Sequence, residues 1–207
     1  MQKTARGRPM AEDDSDTYWV MSREELQCLG SPRRYDIVDH LAAAGPLSIR
    51  ELAGRIGAQP SALYHHLRQL LNVGLVVETG HQVRGRKRET VYNTRAKRMR
   101  MHRALEDPAN IDILIGVVGA MSRQADRDFQ AGISSPNARP SGPQRNLAVN
   151  RLVGSPSPGT LGLINAHLDA VSELLFTRGE GGERVAFTWV LAPLDTPADE
   201  DPRPQSD

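Results

Sequence analysis

Residues 47–76 read LSIRELAGRIGAQPSALYHHLRQLLNVGLV, two helices joined by a tight turn. Ser48-Ile49-Arg50-Glu51 opens the first. The serine hydroxyl takes the amide hydrogen three residues on, and the glutamate reaches back to the serine amide. Leu52, Ala53 and Ile56 mark the inner face. Gly57 supplies the left-handed residue that ends a helix without a Cβ penalty. After Ala58-Gln59, Pro60 stands at a first helical position, where no amide hydrogen is needed. The second helix runs to about Asn72. At about 100° per residue, Leu63, Leu67 and Leu70 fall within about 60° of one another. Ser61, His65, Arg68 and Gln69 take the opposite face, with Tyr64 and His66 at the borders. Gly74 ends the helix.

Upstream, Ser31-Pro32 starts a helix with Tyr35, Ile37, Val38, Leu41 and Ala42 near the 3.6 period, stopped by Gly45-Pro46. Ser22 to Glu25 is another capping box, opening a short helix to about Leu29. Downstream, Leu75 to Thr79 and Glu89 to Thr94 are β-branched strands, joined by the basic loop Gly80 to Arg88. Helix, helix, glycine turn, helix and basic hairpin form the order of a winged helix-turn-helix. The major groove admits one helix, which must be braced from behind so that its front, here Ser61, His65, Arg68 and Gln69, is free to meet base edges and phosphates.

Charge points the same way. Residues 1–104 hold 18 Lys and Arg against 11 Asp and Glu, whereas residues 105–207 hold 8 against 14, so a half at +7 adjoins a half at −6. Nine basic residues and one acid, Glu89, lie between 84 and 103, and the basic stretch Arg95 to Arg103 reads as a helix. Arg84, Arg86, Lys87 and Arg88 suit phosphate contact or entry into a narrow minor groove.

The stretches SPRRYDIVDHL, LSIRELAGRIG, QPSALYHHLRQLLNVGLV and VRGRKRETVYNT resemble the ArsR-like winged-helix regulators, over roughly a third of the chain. The resemblance implies that Gln59, Ser61, Tyr64, His65 and Arg68 face DNA, and that the protein is a homodimer. The family's metal-sensing branch keeps paired cysteines. Here Cys28 is the one cysteine, so no metal, cofactor or internal disulfide is expected.

Beyond residue 105, Ile111 to Phe129 and Leu161 to Leu175 read as amphipathic helices. Alternation at 147–153 and 185–191 suggests strands. The sequence therefore predicts an α+β, mainly α protein. Residues 1–16 are a disordered tail, 17–104 the winged helix-turn-helix and 105–193 a C-terminal α-β-α-β domain for dimerisation or effector binding. Residues 194–207 are a second disordered tail. Leu114, Val118 and Met121 are expected at the subunit contact. Double-stranded DNA is the expected partner, with a small-molecule effector as a further one. No secretory signal or apolar span is evident, which favours a cytoplasmic, nucleoid-associated protein.

The favoured reading is a sequence-specific transcriptional regulator, a homodimeric repressor. One alternative is a protein-interaction module built on the winged helix, against which the basic wing argues. Another is a regulator whose C-terminal domain senses a small molecule. An enzyme is not expected: no P-loop, dinucleotide, nucleophile-elbow or zinc-protease pattern occurs. Arg151, His167, Asp169 and Glu173 are too ordinary to argue a catalytic site.

Overall fold

The computed structural model describes residues 16–177 and 182–194. The tails expected at 1–16 and 194–207 therefore fall, apart from Asp16 and Leu194, outside the described residues.

Four helices form the front of the molecule: α1 (Arg23–Leu29), α2 (Pro32–Ala44), α3 (Ile49–Ile56) and α4 (Pro60–Asn72). Both expected capping boxes are formed. Ser22 Oγ accepts from Glu25 N, and Glu25 in turn accepts from Ser22 N at 3.1 Å. Ser48 and Glu51 repeat the arrangement at α3. Each box satisfies amides that have no partner inside the helix. Leu26, Ile37, Leu41, Leu52, Leu63, Leu67, Leu70 and Leu75 are essentially inaccessible and belong to one core.

Gly57 ends α3 at φ +70, in the left-handed region, with open space where a Cβ would stand. Gly57→Ala is expected to cost about 1–2 kcal/mol, because the added Cβ meets the backbone at positive φ. Gly54, inside α3 and also facing open space, is the opposite case. Gly54→Ala should stabilise by about 1 kcal/mol through helix propensity. Urea unfolding of the two variants checks both signs.

The wing is a hairpin of β3 (Val76–Arg84) and β4 (Lys87–Thr94), and β4 also pairs with the two-residue β2 (Leu47–Ser48). The strands run further than the sequence suggested. Arg84 pairs with Lys87, which shrinks the loop expected at 80–88 to Gly85-Arg86. Gly85 has φ +63, and a glycine at the first central position matches the twist of a tight hairpin.

Arg95 to Arg103, expected as a helix, is instead β5 (Arg98–Arg100) followed by a 3-10 turn, His102–Glu106. A backbone partner overrides local propensity here. β1 (Thr17–Trp19) runs parallel to β5, Arg98 N donates to Asp16 O at 2.9 Å, and Val20 N donates to Arg100 O at 2.8 Å.

The C-terminal half holds the two expected helices, α5 (Ile111–Ile133) and α6 (Pro158–Phe176). The expected strands at 147–153 and 185–191 are absent: neither segment has strand structure. Alternation alone does not make a strand, which needs a neighbouring edge to take its amides and carbonyls. Val149 and Leu152 are 80% and 85% exposed. The boundary drawn at 105 also falls within shared packing. Ala104 and Leu114 belong to the same core as the helix-turn-helix, and Asn110 Nδ2 donates to Met21 O at 3.3 Å. Arg23 meets Asp112 at 3.1 Å, tying α1 to α5.

Candidate nucleic-acid interface

The inward leucines of α4 fix what faces out. With Leu63, Leu67 and Leu70 buried, Ser61, Tyr64, His65 and Arg68 are exposed along the helix, and Gln59 is exposed at its N-cap. Gln59 makes no side-chain capping bond, so its amide points to no partner within the helix start. Gln69 differs from the others. It is half-buried, and its Oε1 accepts from Arg34 Nη1 at 2.6 Å. Arg34 also donates to the Cys28 and Gln27 carbonyls at the end of α1. Gln69 therefore ties the back of α4 to α1 and α2. The sequence could not show this, because Arg34 lies 35 residues away.

His66 is half-buried, and its Nδ1 is enclosed with no hydrogen-bond partner among the described residues. Burial holds its pKa below the ordinary histidine value, with Arg34, His65 and Arg33 acting in the same direction. A protonated ring is thus disfavoured where α4 rests on α2. The described residues hold no group of three or more side chains suited to a metal ion.

Arg84, Arg86, Lys87 and Arg88 are exposed on the wing. Two polar contacts brace that wing against α3. Gln82 Nε2 donates to Glu51 Oε2 at 2.9 Å, and Arg50 meets Glu89 at 3.2 Å. The Ser48 amide, then Gln82, hold the Glu51 carboxyl below the usual carboxylate range. One glutamate therefore caps α3 and anchors β3 together. Glu89, the single acid of the basic segment, is occupied by Arg50 and leaves the wing tip uniformly positive.

The basic residues after the wing are used inside the chain. Arg95 lies 4.2 Å from the Tyr18 ring centre, Arg103 lies 3.9 Å from that of Trp19, and Lys97 lies 5.7 Å from that of Phe176. Arg98 pairs with Glu173, and Arg100 pairs with Asp169 at 2.9 Å. All five cations fasten β1 or α6 to the winged helix. The dense positive run 84–103 thus divides into four exposed wing charges and five that have a partner within the chain, of which Arg95, Lys97 and Arg103 are themselves exposed.

Of the residues expected at a subunit contact, Leu114 is 4% exposed and packs into its own chain's core. A residue turned into the intrachain core cannot also lie on an outer face. Val118 is 38% exposed and Met121 half-buried. Ile111, Ile115 and Val118 form an outward apolar stripe on α5, opposite buried Leu114, Val117 and Ala120.

These elements define a winged helix-turn-helix with a braced helix, a polar outer face and a positive wing. Residues 31–77 match the family model described as bacterial regulatory protein, arsR family. The HTH-type transcriptional regulator NmtR of Mycobacterium tuberculosis (strain ATCC 25618 / H37Rv) is 43% identical over 72 residues. That match covers 35% of this chain and 58% of the relative, so it spans less than two thirds of the relative's length. Among solved structures, the chain resembles RV1404 from Mycobacterium tuberculosis at 18% identity, covering 68% of this chain and 72% of that one, with a TM-score of 0.27. A MarR family transcriptional regulator from Silicibacter pomeroyi shows 21% identity, 74% and 76% coverage and a TM-score of 0.30.

Proposed function

We propose that this protein is a sequence-specific DNA-binding transcriptional regulator that works as a homodimeric repressor by occluding a promoter. The observation that carries the reading is the pairing of one exposed polar helix face with an adjacent positive wing on a rigid scaffold. Arg68 and His65 contact base edges in the major groove. Gln59, Ser61 and Tyr64 lie against its walls, and Arg84, Arg86, Lys87 and Arg88 follow phosphate or the minor groove. NmtR, by its name a transcriptional regulator, is 43% identical over 72 residues, and the family-model match at 31–77 spans α4. The protein acts in the cytoplasm, at the nucleoid, and is not an enzyme. No helix among the described residues is long and apolar enough to cross a membrane. The C-terminal half is where an effector would act on the dimer. Selection of duplexes from a random pool by the full chain tests the reading, and recovery of no preferred sequence would overturn it.

The wing gives a salt prediction. Removing two phosphate contacts with Arg86→Ala and Lys87→Ala should flatten the slope of log affinity against log salt by about 1.8. Fluorescence anisotropy across a salt series reads this directly. An unchanged slope removes the wing from the interface.

The α5 stripe gives an assembly prediction. The second copy covers Ile111, Ile115 and Val118, so Val118→Glu should bury an unpaired charge and cost several kcal/mol of association, with about 3–5 as the scale for a broken buried pair. Sedimentation should show a wild-type dimer and a monomeric variant that still melts as a folded chain. A wild-type monomer that binds DNA tightly contradicts the proposal.

A further inference from the structure

The wing carries an irregularity near its base. In the ladder of β3 and β4, Glu78 pairs with Tyr92 and Gly80 pairs with Val91, so Thr79 is an extra residue. An extra residue interrupts the ladder, bends the strand and raises its twist. Arg84, Arg86, Lys87 and Arg88 all lie beyond that bulge. Backbone pairing at the base of the wing therefore does not by itself aim the four charges.

One rung beyond the bulge is fastened a second time. Gln82 pairs with Glu89 across the hairpin, and directly opposed residues send their side chains from the same face of a sheet. Both are half-buried, although residues 83–88 are exposed. They meet consecutive residues in the first turn of α3. Gln82 Nε2 donates to Glu51 Oε2 at 2.9 Å, and Arg50 Nη2 lies 3.2 Å from Glu89 Oε1. Glu51 Oε2 also accepts from Ser48 N and Ser48 Oγ, each at 2.9 Å. Ser48 in turn pairs with Val91 of β4, at the bulge. A single carboxylate oxygen thus joins the strand position at the bulge to the rung beyond it.

Stability does not explain this rung. Glu89 Oε2 is enclosed and has no hydrogen-bond partner among the described residues. An enclosed oxygen left unpaired is destabilising, and an apolar rung of similar size would avoid the penalty. What the polar rung adds is direction. Hydrogen bonds accept only a narrow range of approach, whereas apolar contact is non-directional.

We propose that Gln82 and Glu89 are positioning residues for DNA recognition. Clamped by Glu51 and Arg50, they fix the angle of the wing to α3 and α4. The phosphate contacts of the wing then set the register in which α4 meets base edges. Phosphate contacts fix register without reading sequence, so a side chain that touches no base governs sequence preference. The inference rests on the DNA-binding reading above, and the experiment separates the two.

The full chain is titrated by fluorescence anisotropy against the selected duplex and a scrambled one, across a salt series. Gln82→Leu removes the donor without changing the charge of the wing. In wild type, Arg86→Ala/Lys87→Ala should flatten the slope of log affinity against log salt by about 1.8. In the Gln82→Leu background the same pair should flatten it by less than about 0.9, because the wing no longer lies along phosphate. Gln82→Leu alone should lower the preference for the selected duplex about tenfold, the low end of one base contact. A variant that only loosened the fold would weaken both duplexes in proportion and keep the full slope change. Glu51→Gln/Gln82→Glu exchanges donor and acceptor at unchanged net charge and should restore both readouts. Gln82→Glu alone sets two carboxylates together and should restore neither. The full slope change in the Gln82→Leu background, or an unchanged preference, overturns the proposal while leaving the DNA reading intact. So does an exchanged pair that folds and restores neither readout; if that pair does not fold, the Gln82→Leu comparison decides alone. If Arg86→Ala/Lys87→Ala leaves the wild-type slope unchanged, the wing reading itself fails and the proposal falls with it.

Discussion

Leu67→Ala is expected to lower folding stability by about 2–5 kcal/mol, the range for emptying a packed leucine site. Leu67 is 2% exposed and belongs to the cluster that holds Leu52, Leu63 and Leu70. Its removal leaves a cavity between α4 and the helices behind it, where the backbone hydrogen bonds of α4 resist collapse. Leu71 is the useful comparison. It is only partly buried at the edge of the same core, so Leu71→Ala should cost clearly less. Equilibrium unfolding in urea reads both. Equal costs, or no cost at Leu67, would mean that α4 faces another way.

Arg68→Ala should weaken binding to the preferred duplex by about 1–3 kcal/mol more than binding to scrambled DNA, the scale of one arginine–guanine contact. Arg68 is exposed beside His65 on the face opposite the buried leucines, so its removal opens no cavity. Arg86 sits at the hairpin tip, where contact to phosphate carries no sequence information. Arg86→Ala should therefore weaken both duplexes alike. Competition between preferred and scrambled duplex measures the difference, with thermal melts beside it to show that neither variant unfolds.

The helix-turn-helix was legible because its signals are local. Ser48 with Glu51, Pro60, the leucines of α4 and Gly57 each act within one or two turns, and each is found in its expected role. The outward face of α4 followed from the inward one by periodicity alone. Contacts between distant residues were not legible. Gln69 shares a face of the wheel with polar residues that are exposed, yet Arg34 takes its side chain. Gln82 looked like a loop residue and instead joins the wing to Glu51.

The segment 95–103 misled for a related reason. A cation's sequence says nothing about whether its partner is phosphate, a carboxylate or a ring, and here Tyr18, Trp19, Asp169, Glu173 and Phe176 supply the partners. β1 is three residues long, too short to carry a period of two, and only its pairing with β5 defines it. In the C-terminal half the error ran the other way. Residues 147–153 and 185–191 have the alternation of strands but pair with no edge among the described residues. The helices α5 and α6 were legible there, while the outward stripe on α5 emerged only once Leu114 was seen to turn inward.

An α4 that reads base edges in the major groove must pass guanine N7, which that groove presents. Methylation interference at guanine N7, run on the selected duplex with the full chain and with Arg68→Ala, tests it most directly. The expected result is interference at guanines in two symmetry-related half-sites about 34–36 Å apart, or a multiple of that, with one guanine in each half-site losing its effect in the variant. Interference that is absent from N7 positions altogether, or a pattern that Arg68→Ala leaves unchanged, would contradict it.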